Sequence, residues 1–248
     1  MTRLSKAAFL LAAGVNACFS TFAYAEAQLS KVVSPSLIGV TLKYAEALIG
    51  TPAMNEMTDQ FGTQRNDYML GNCPIGLGVK DGKVVSVSAS IDPAAGCDFD
   101  VSGIVQKSSP SGIMASTTIF KDYAWRGQLH FTDPQLPSCN ACGEGTFNAA
   151  VDGVGALGNL DVQLTGWTDS QGYEEWRDLL REAGIGNIPE NTFPMTRANC
   201  PLVPLDAQAF ELLKNTKVRG IAFGRDRVSA IQPLCSGAAV HELNLRAR

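Results

Sequence analysis

The sequence predicts an α+β protein: two small helix-plus-antiparallel-sheet, plait-like units flanking a β-rich insert. Three observations predict it. First, Gly76–Val87 (GLGVKDGKVVSV) is echoed far downstream by Gly220–Ile231 (GIAFGRDRVSAI). In each, a glycine opens an apolar alternation that runs through a tight charged turn into a second alternation. Second, the four residues NCPI at Asn72 recur as NCPL at Asn199. Third, the intervening Asp98–Gly172 is rich in Gly, Ser and Thr and carries no long helical stripe. The same patterns also allow a single continuous sheet without a repeat.

The chain opens on MTRLSKAAFLLAAGVNACFSTFAYA. Arg3 and Lys6 form a positive end, Ala7–Val15 an apolar core and Ala23-Tyr24-Ala25 a small-x-small cleavage site, the anatomy of a secretory leader. Residues 1–25 are therefore expected to be a signal peptide cleaved near Ala25, giving a periplasmic or secreted protein. The alternative is a lipoprotein anchored through Cys18, because Val15-Asn16-Ala17-Cys18 loosely resembles a lipoprotein box. No transmembrane segment is expected in the mature chain, since no later run is long and apolar enough. The whole chain has 20 basic and 24 acidic residues, and losing Arg3 and Lys6 takes its net charge from −4 to −6. With no basic surplus and no basic run, it lacks the electrostatic footprint of a nucleic-acid binder.

In the first unit, expected over 26–97, Leu37, Val40, Tyr44, Ala45, Leu48 and Ile49 form a helical stripe, which Gly50 and Pro52 end. Asn55–Asp67 is polar and expected as a loop. Asp81-Gly82 is a strong two-residue hairpin signal, because both central positions of such a turn need positive φ. After it, Val85, Val87, Ala89 and Ile91 alternate with Ser86, Ser88 and Ser90, a strand with one wet face. In the middle segment, 98–172, QLHF, TFNAAV and NLDVQLTGW read as antiparallel strands. The last segment, 173–248, begins with a helix carrying Trp176, Leu179, Leu180 and Ala183. A second helix follows, capped by Asp206, and then the strand–turn–strand Val218–Ile231. The tail alternates weakly.

The run GVTLKYAEALIGTP, followed by YMLGNCPIGLGVKDGKVVSV, resembles the helix–helix–strand–hairpin unit of the BamE/SmpA outer-membrane assembly lipoproteins. It is also similar to the β-lactamase inhibitor proteins, which use tandem copies of such a unit. The resemblance covers Ser36–Asp92, with a looser second copy over 174–235. It implies a small α/β plait that binds other proteins on its sheet or loops, and it transfers no contact residue.

Six cysteines remain after the leader: Cys73, Cys97, Cys139, Cys142, Cys200 and Cys235. An even number in an exported protein reads as disulfides. The Asp81-Gly82 turn returns the strand after Cys73 toward Cys97, which predicts Cys73–Cys97. Cys200–Cys235 brackets the echoed hairpin, and Cys139–Cys142 closes a local loop. Cys139 and Cys142 also make a C-x-x-C, the spacing of thiol–disulfide exchange. No helix is in sight to stabilise a thiolate there, and no second pair completes a zinc set. Gly153–Gly158 spells G-x-G-x-x-G, but a period-two segment follows where a dinucleotide site needs a helix. No cofactor and no metal are therefore expected.

His130 and His241 sit in none of the known catalytic motifs. Glu174, Glu175 and Asp178 are read as acidic residues at a helix start, ahead of any paired-carboxylate chemistry. Trp125, Trp167 and Trp176 suit a groove but more often fill a core. The functional expectation is a secreted or periplasmic protein-binding module. It would act as an inhibitor or immunity factor, or as an envelope assembly factor, with another envelope or secreted protein as partner. The alternative is a periplasmic thiol–disulfide oxidoreductase using Cys139 and Cys142.

Overall fold

Asp81 has φ 52° and Gly82 φ 71°, the paired positive values that let a two-residue turn follow the twist of its strands. They join Cys73–Lys80 to Lys83–Ser90 as the hairpin the sequence predicts. A computed structural model describes this hairpin and residues 28–58, 62–105, 112–126, 129–131, 145–151, 160–168, 170–182 and 205–225. In chain order the strands are β1 Asn55–Thr58, β2 Gln64–Leu70, β3 Cys73–Lys80, β4 Lys83–Ser90, β5 His130–Phe131, β6 Gly145–Val151, β7 Asp161–Thr168 and β8 Val218–Gly224. The helices are α1 Leu42–Ile49, α2 Ser102–Val105, α3 Ser170–Glu182 and α4 Asp206–Leu213. No described helix is long and apolar enough to cross a membrane.

The fold is α+β. The eight strands among the described residues form one antiparallel sheet in the order β1-β2-β3-β4-β8-β7-β6-β5. Two meanders, β1–β4 and β5–β8, run inward from opposite edges and join where β4 pairs with β8. All three expected segments thus contribute to one sheet. Ser86–Ser90 of β4 hold one edge of β8 and Asp161–Gly166 of β7 hold the other. Gly220–Gly224 consequently has no edge left for a returning strand, and the separate hairpin expected over Gly220–Ile231 is corrected to a central strand. Residues 226–231 lie outside the described residues.

Several local expectations shift for physical reasons. The stripe from Leu37 becomes helix only at Leu42, because Gly39 has φ 94° and Pro35–Leu37 form a 3-10 turn. Thr41 then caps α1, its Oγ1 accepting from the Tyr44 N–H at 3.3 Å. The loop expected over Asn55–Asp67 contains β1 and the start of β2. As an edge strand β1 is exposed at every residue, so no buried face imposes an alternation. Leu205, not Asp206, occupies the N-cap of α4. The Asp206 carboxylate instead accepts the Phe131 N–H at 3.0 Å, tying α4 to β5. α3 begins at Ser170, which places Glu174, Glu175 and Asp178 beyond its first turn.

One face of the sheet builds the core. Tyr68, Ile75, Leu77, Val87, Val162, Leu164, Ile221 and Phe223 are buried there. Ala45 and Ile49 of α1, Trp176 of α3, Ala209 and Leu213 of α4, and Phe120 and Tyr123 of the 3-10 turn Phe120–Arg126 join the same cluster. Leu29 and Val32, in the helical residues 28–32, complete it. Cys73 and Cys97 form the expected disulfide, with Cα atoms 5.1 Å apart. It ties the first residue of β3 to the turn that leaves β4.

Candidate functional site

The opposite face of the sheet is built from rows of residues that the strand register aligns. One row runs Met57, Arg65, Gly78, Ser86, Gly224 and Asp161. The next runs Asn55, Asp67, Gly76, Ser88, Ala222 and Gln163. Ser90, Gly220 and Thr165 align beyond it. Period-two alternation puts these on one face and the apolar partners on the other. The three central strands, β3, β4 and β8, therefore show nothing larger than serine in these rows, while longer side chains stand on β2 and β7. The result is an open groove of about 1120 Å³, lined by strand residues and the ends of their connections, with no helical residue among them.

The floor is bare for a steric reason. A Cβ on Gly76 would lie 2.5 Å from Ser88 Oγ, and one on Gly78 2.2 Å from Ser86 Oγ. A Cβ on Gly224 would lie 2.5 Å from the Val85 carbonyl oxygen. Glycine thus faces serine across adjacent strands, and the backbone of the sheet is open to contact. Ser88 Oγ donates to the Gly76 carbonyl at 3.4 Å.

The charged residues lining this face are Arg65, Asp67, Asp92 and Arg219. Arg65 Nε meets Asp67 Oδ1 at 3.0 Å, two residues along the same strand. Asp92, at the groove end, accepts from the Ala94 and Ala95 amides of its own turn. At one rim Met54 and Met57 are 60% and 57% exposed, a flexible, polarizable margin of the kind that adapts to partner surfaces.

Beneath the floor lies a buried polar chain. Asn66 Nδ2 donates to Tyr68 Oη at 3.2 Å, and the Tyr68 hydroxyl donates to Glu46 Oε1 at 3.2 Å. Burial first, and then the nearby Glu46 carboxylate, raises the Tyr68 pKa, against the lowering effect of the Asn66 bond. This chain anchors β2 to α1. The arrangement as a whole offers hydroxyls, amides and bare backbone for hydrogen bonding. Among the described residues no three His, Cys, Asp or Glu side chains gather as a metal site.

Of the residues singled out from sequence, Cys73 and Cys97 are brought together, at the end of β3 and away from the central rows. Cys139, Cys142, Cys200, Cys235 and His241 lie outside the described residues. His130 is placed in β5, paired with Ala150. Gly153–Gly158 also lies outside them, between β6 and β7, which pair at Val151 and Val162, so a strand and not a helix follows it. Trp176 is core. The groove itself was missed by sequence reasoning. Its signal was present in the Gly76/Gly78 and Ser86/Ser88/Ser90 alternations, which say small and wet but not that the two stripes lie side by side. Compared with known proteins, the chain matches no protein family, no curated protein and no solved structure.

Proposed function

We propose that this chain is a secreted or periplasmic protein-binding module that docks its partner on the grooved face of the sheet. The observation that carries the reading is the division of the sheet. One face is sealed by helices and turns into a continuous core, while the other presents a groove with bare backbone at its centre and exposed methionines at its rim. Exposed methionines adapt to the surface of a partner, and the described residues of the groove offer hydrogen-bonding groups, which suit binding. The resemblance of Ser36–Asp92 to BamE/SmpA and β-lactamase-inhibitor units is in keeping with an inhibitor, immunity or envelope-assembly role. The leader and the Cys73–Cys97 bond suit the secretory space.

A photo-crosslinking residue placed at Met57, with a control at the exposed Tyr44 of α1, tests this in envelope extract. Discrete protein adducts from Met57 and none from Tyr44 are expected. Adducts from Tyr44 alone overturn the assignment of the face. Insulin-reduction activity lost on Cys139→Ser overturns the binding reading in favour of thiol–disulfide exchange.

A further inference from the structure

We propose that the open edge of β1 takes an extended segment of the partner as an added strand, with a basic residue of that segment opposite Glu56 and an apolar one opposite Met57. This rests on the protein-binding reading above and names the part of the partner that the rim of the groove holds.

β1 ends the sheet on one side, and among the described residues no strand pairs with its outer edge. All four of its residues, Asn55–Thr58, are exposed. Such an edge presents unpaired main-chain amides and carbonyls, and an extended chain laid along it satisfies them.

The two sides of β1 select the occupant. Period-two alternation turns Met57 to the groove and Glu56 to the other side, where the register sets Glu56 beside Asn66 of β2. Glu56 Oε2 accepts from the neutral Gln64 Nε2 at 3.3 Å, and Glu46 of α1 accepts from the Tyr68 hydroxyl on the same side. Burial foremost, and then the fields of Glu46 and Glu56, raise the Tyr68 pKa, so the two charges act on one spot. Neither carboxylate forms an ion pair among the described residues. None of the neighbouring basic residues pairs with them. Arg65 is on the groove face, bound to Asp67. Arg219 stands on β8, and Lys80 and Lys83 flank the turn between β3 and β4. Lys43, one turn before Glu46 on α1, is exposed and makes no ion pair among the described residues.

An incoming strand therefore meets uncompensated negative charge on one side and the 57% exposed Met57 on the other. Opposite charges and apolar pairs facing each other across strands are the stabilising combinations. Adjacent residues of a strand point to alternate sides, so the segment carries a basic residue next to an apolar one. A second copy of this chain is the wrong occupant. Pairing β1 with itself about a two-fold axis normal to the sheet sets Glu56 opposite or diagonal to its own counterpart, and like charges so placed repel.

The probe is a phage-displayed library of linear peptides about ten residues long, the upper length of an ordinary strand. It is selected in parallel on the full mature chain and on its Glu56→Lys variant. Peptides enriched on wild type are expected to carry Lys or Arg beside an apolar residue. By calorimetry they should lose about two- to fivefold in affinity for Glu56→Gln and about tenfold for Glu56→Lys. Selection on Glu56→Lys should replace the basic residue with an acidic one. Hydrogen exchange at the β1 amides should slow when peptide is bound, the mark of main-chain pairing. A peptide held by charge alone leaves those amides exchanging as in the free protein, and that result overturns the edge. Enriched peptides without a basic residue, unchanged affinity for Glu56→Lys, or a failure to enrich any peptide overturn it too. The Met57 crosslinks separate this from the reading it rests on. Protein adducts at Met57 alongside any of those failures keep the face and remove the edge, whereas their absence removes the face reading itself.

Discussion

Removing the Cys73–Cys97 bond should cost more than any single contact on the grooved face. The two cysteines are separated by 24 residues. In the chain-entropy treatment, closing a loop of that length in the unfolded chain is worth about 3.5 kcal/mol at 25 °C. Both residues are buried, at 2% and 1% exposure, so alanine is the replacement of choice. Serine would add the cost of a buried hydroxyl. For the Cys73→Ala/Cys97→Ala protein the urea midpoint should fall by roughly 1 M, given a slope near 3 kcal/mol/M for a chain of this size. The melting temperature should fall by about 7–14 °C. The comparison with wild type under non-reducing conditions isolates this bond, since the other cysteines are common to both proteins. A midpoint within about 0.3 M of wild type, or non-reducing peptide maps that link Cys73 to any residue other than Cys97, would refute the reasoning.

Gly78→Ala should destabilise by about 1–3 kcal/mol through overpacking, since its Cβ falls 2.2 Å from Ser86 Oγ. Adding Ser86→Ala should recover most of that loss in a double-mutant cycle by denaturant titration. Tyr68→Phe deletes the hydroxyl shared by Asn66 and Glu46 and should cost about 1–3 kcal/mol. The Tyr68 and Tyr123 pKa values are both raised by burial first. The unfolded chain then loses its phenolic protons before the folded one, so stability should be full below pH 10 and decline above it. Phenylalanine at either site should flatten that alkaline limb. Asp100 has its pKa lowered: partial burial raises it, but hydrogen bonds from the Ser102 hydroxyl and amide and the Gly112 amide outweigh that. Its contribution is therefore present at neutral pH and lost as pH falls below the ordinary carboxylate value of 3.8 toward the depressed one. Asp100→Asn should make acid unfolding shallower over that interval, as followed by circular dichroism.

The parts of the fold legible in sequence were those fixed by neighbours along the chain. The helical stripe that ends at Gly50 was read, with its start placed too early, and Asp81-Gly82 dictates its turn. Once that hairpin is placed, Cys73 and Cys97 have little choice of partner. The order of the sheet was not legible, because the pairing of β4 with β8 joins residues that no local pattern connects. The echo between Gly76–Val79 and Gly220–Gly224 has a physical origin other than a repeated hairpin. β3 and β8 are both inner strands with one apolar face, Ile75 and Leu77 in one and Ile221 and Phe223 in the other. Both also turn glycine to the groove. Similar surroundings impose similar alternation. Asp206 misleads in the opposite way. An aspartate before an amphipathic run is a cap signal, yet its carboxylate reaches a strand 75 residues earlier in the chain.

The groove and the disulfide belong to one argument. Glycine in a strand gives up conformational entropy on folding and packs nothing, a cost of about 0.5–1 kcal/mol each. β3 carries two, Gly76 and Gly78, and neither can be replaced without meeting a serine of β4. A strand weakened by about 1–2 kcal/mol in this way lies third from a sheet edge whose outermost strand, β1, is short and wholly exposed. The Cys73–Cys97 bond fastens that same strand at its first residue, with a contribution that exceeds the glycine cost about twofold on the chain-entropy estimate. Its effect should therefore be local as well as global. In the Cys73→Ala/Cys97→Ala protein the Ile75 and Leu77 amides should exchange hydrogen faster than the Ile221 and Phe223 amides of β8, which has no comparable fastening among the described residues. Equal acceleration along β3 and β8 would mean that the bond steadies the whole sheet, and that the bare floor of the groove needs no support of its own.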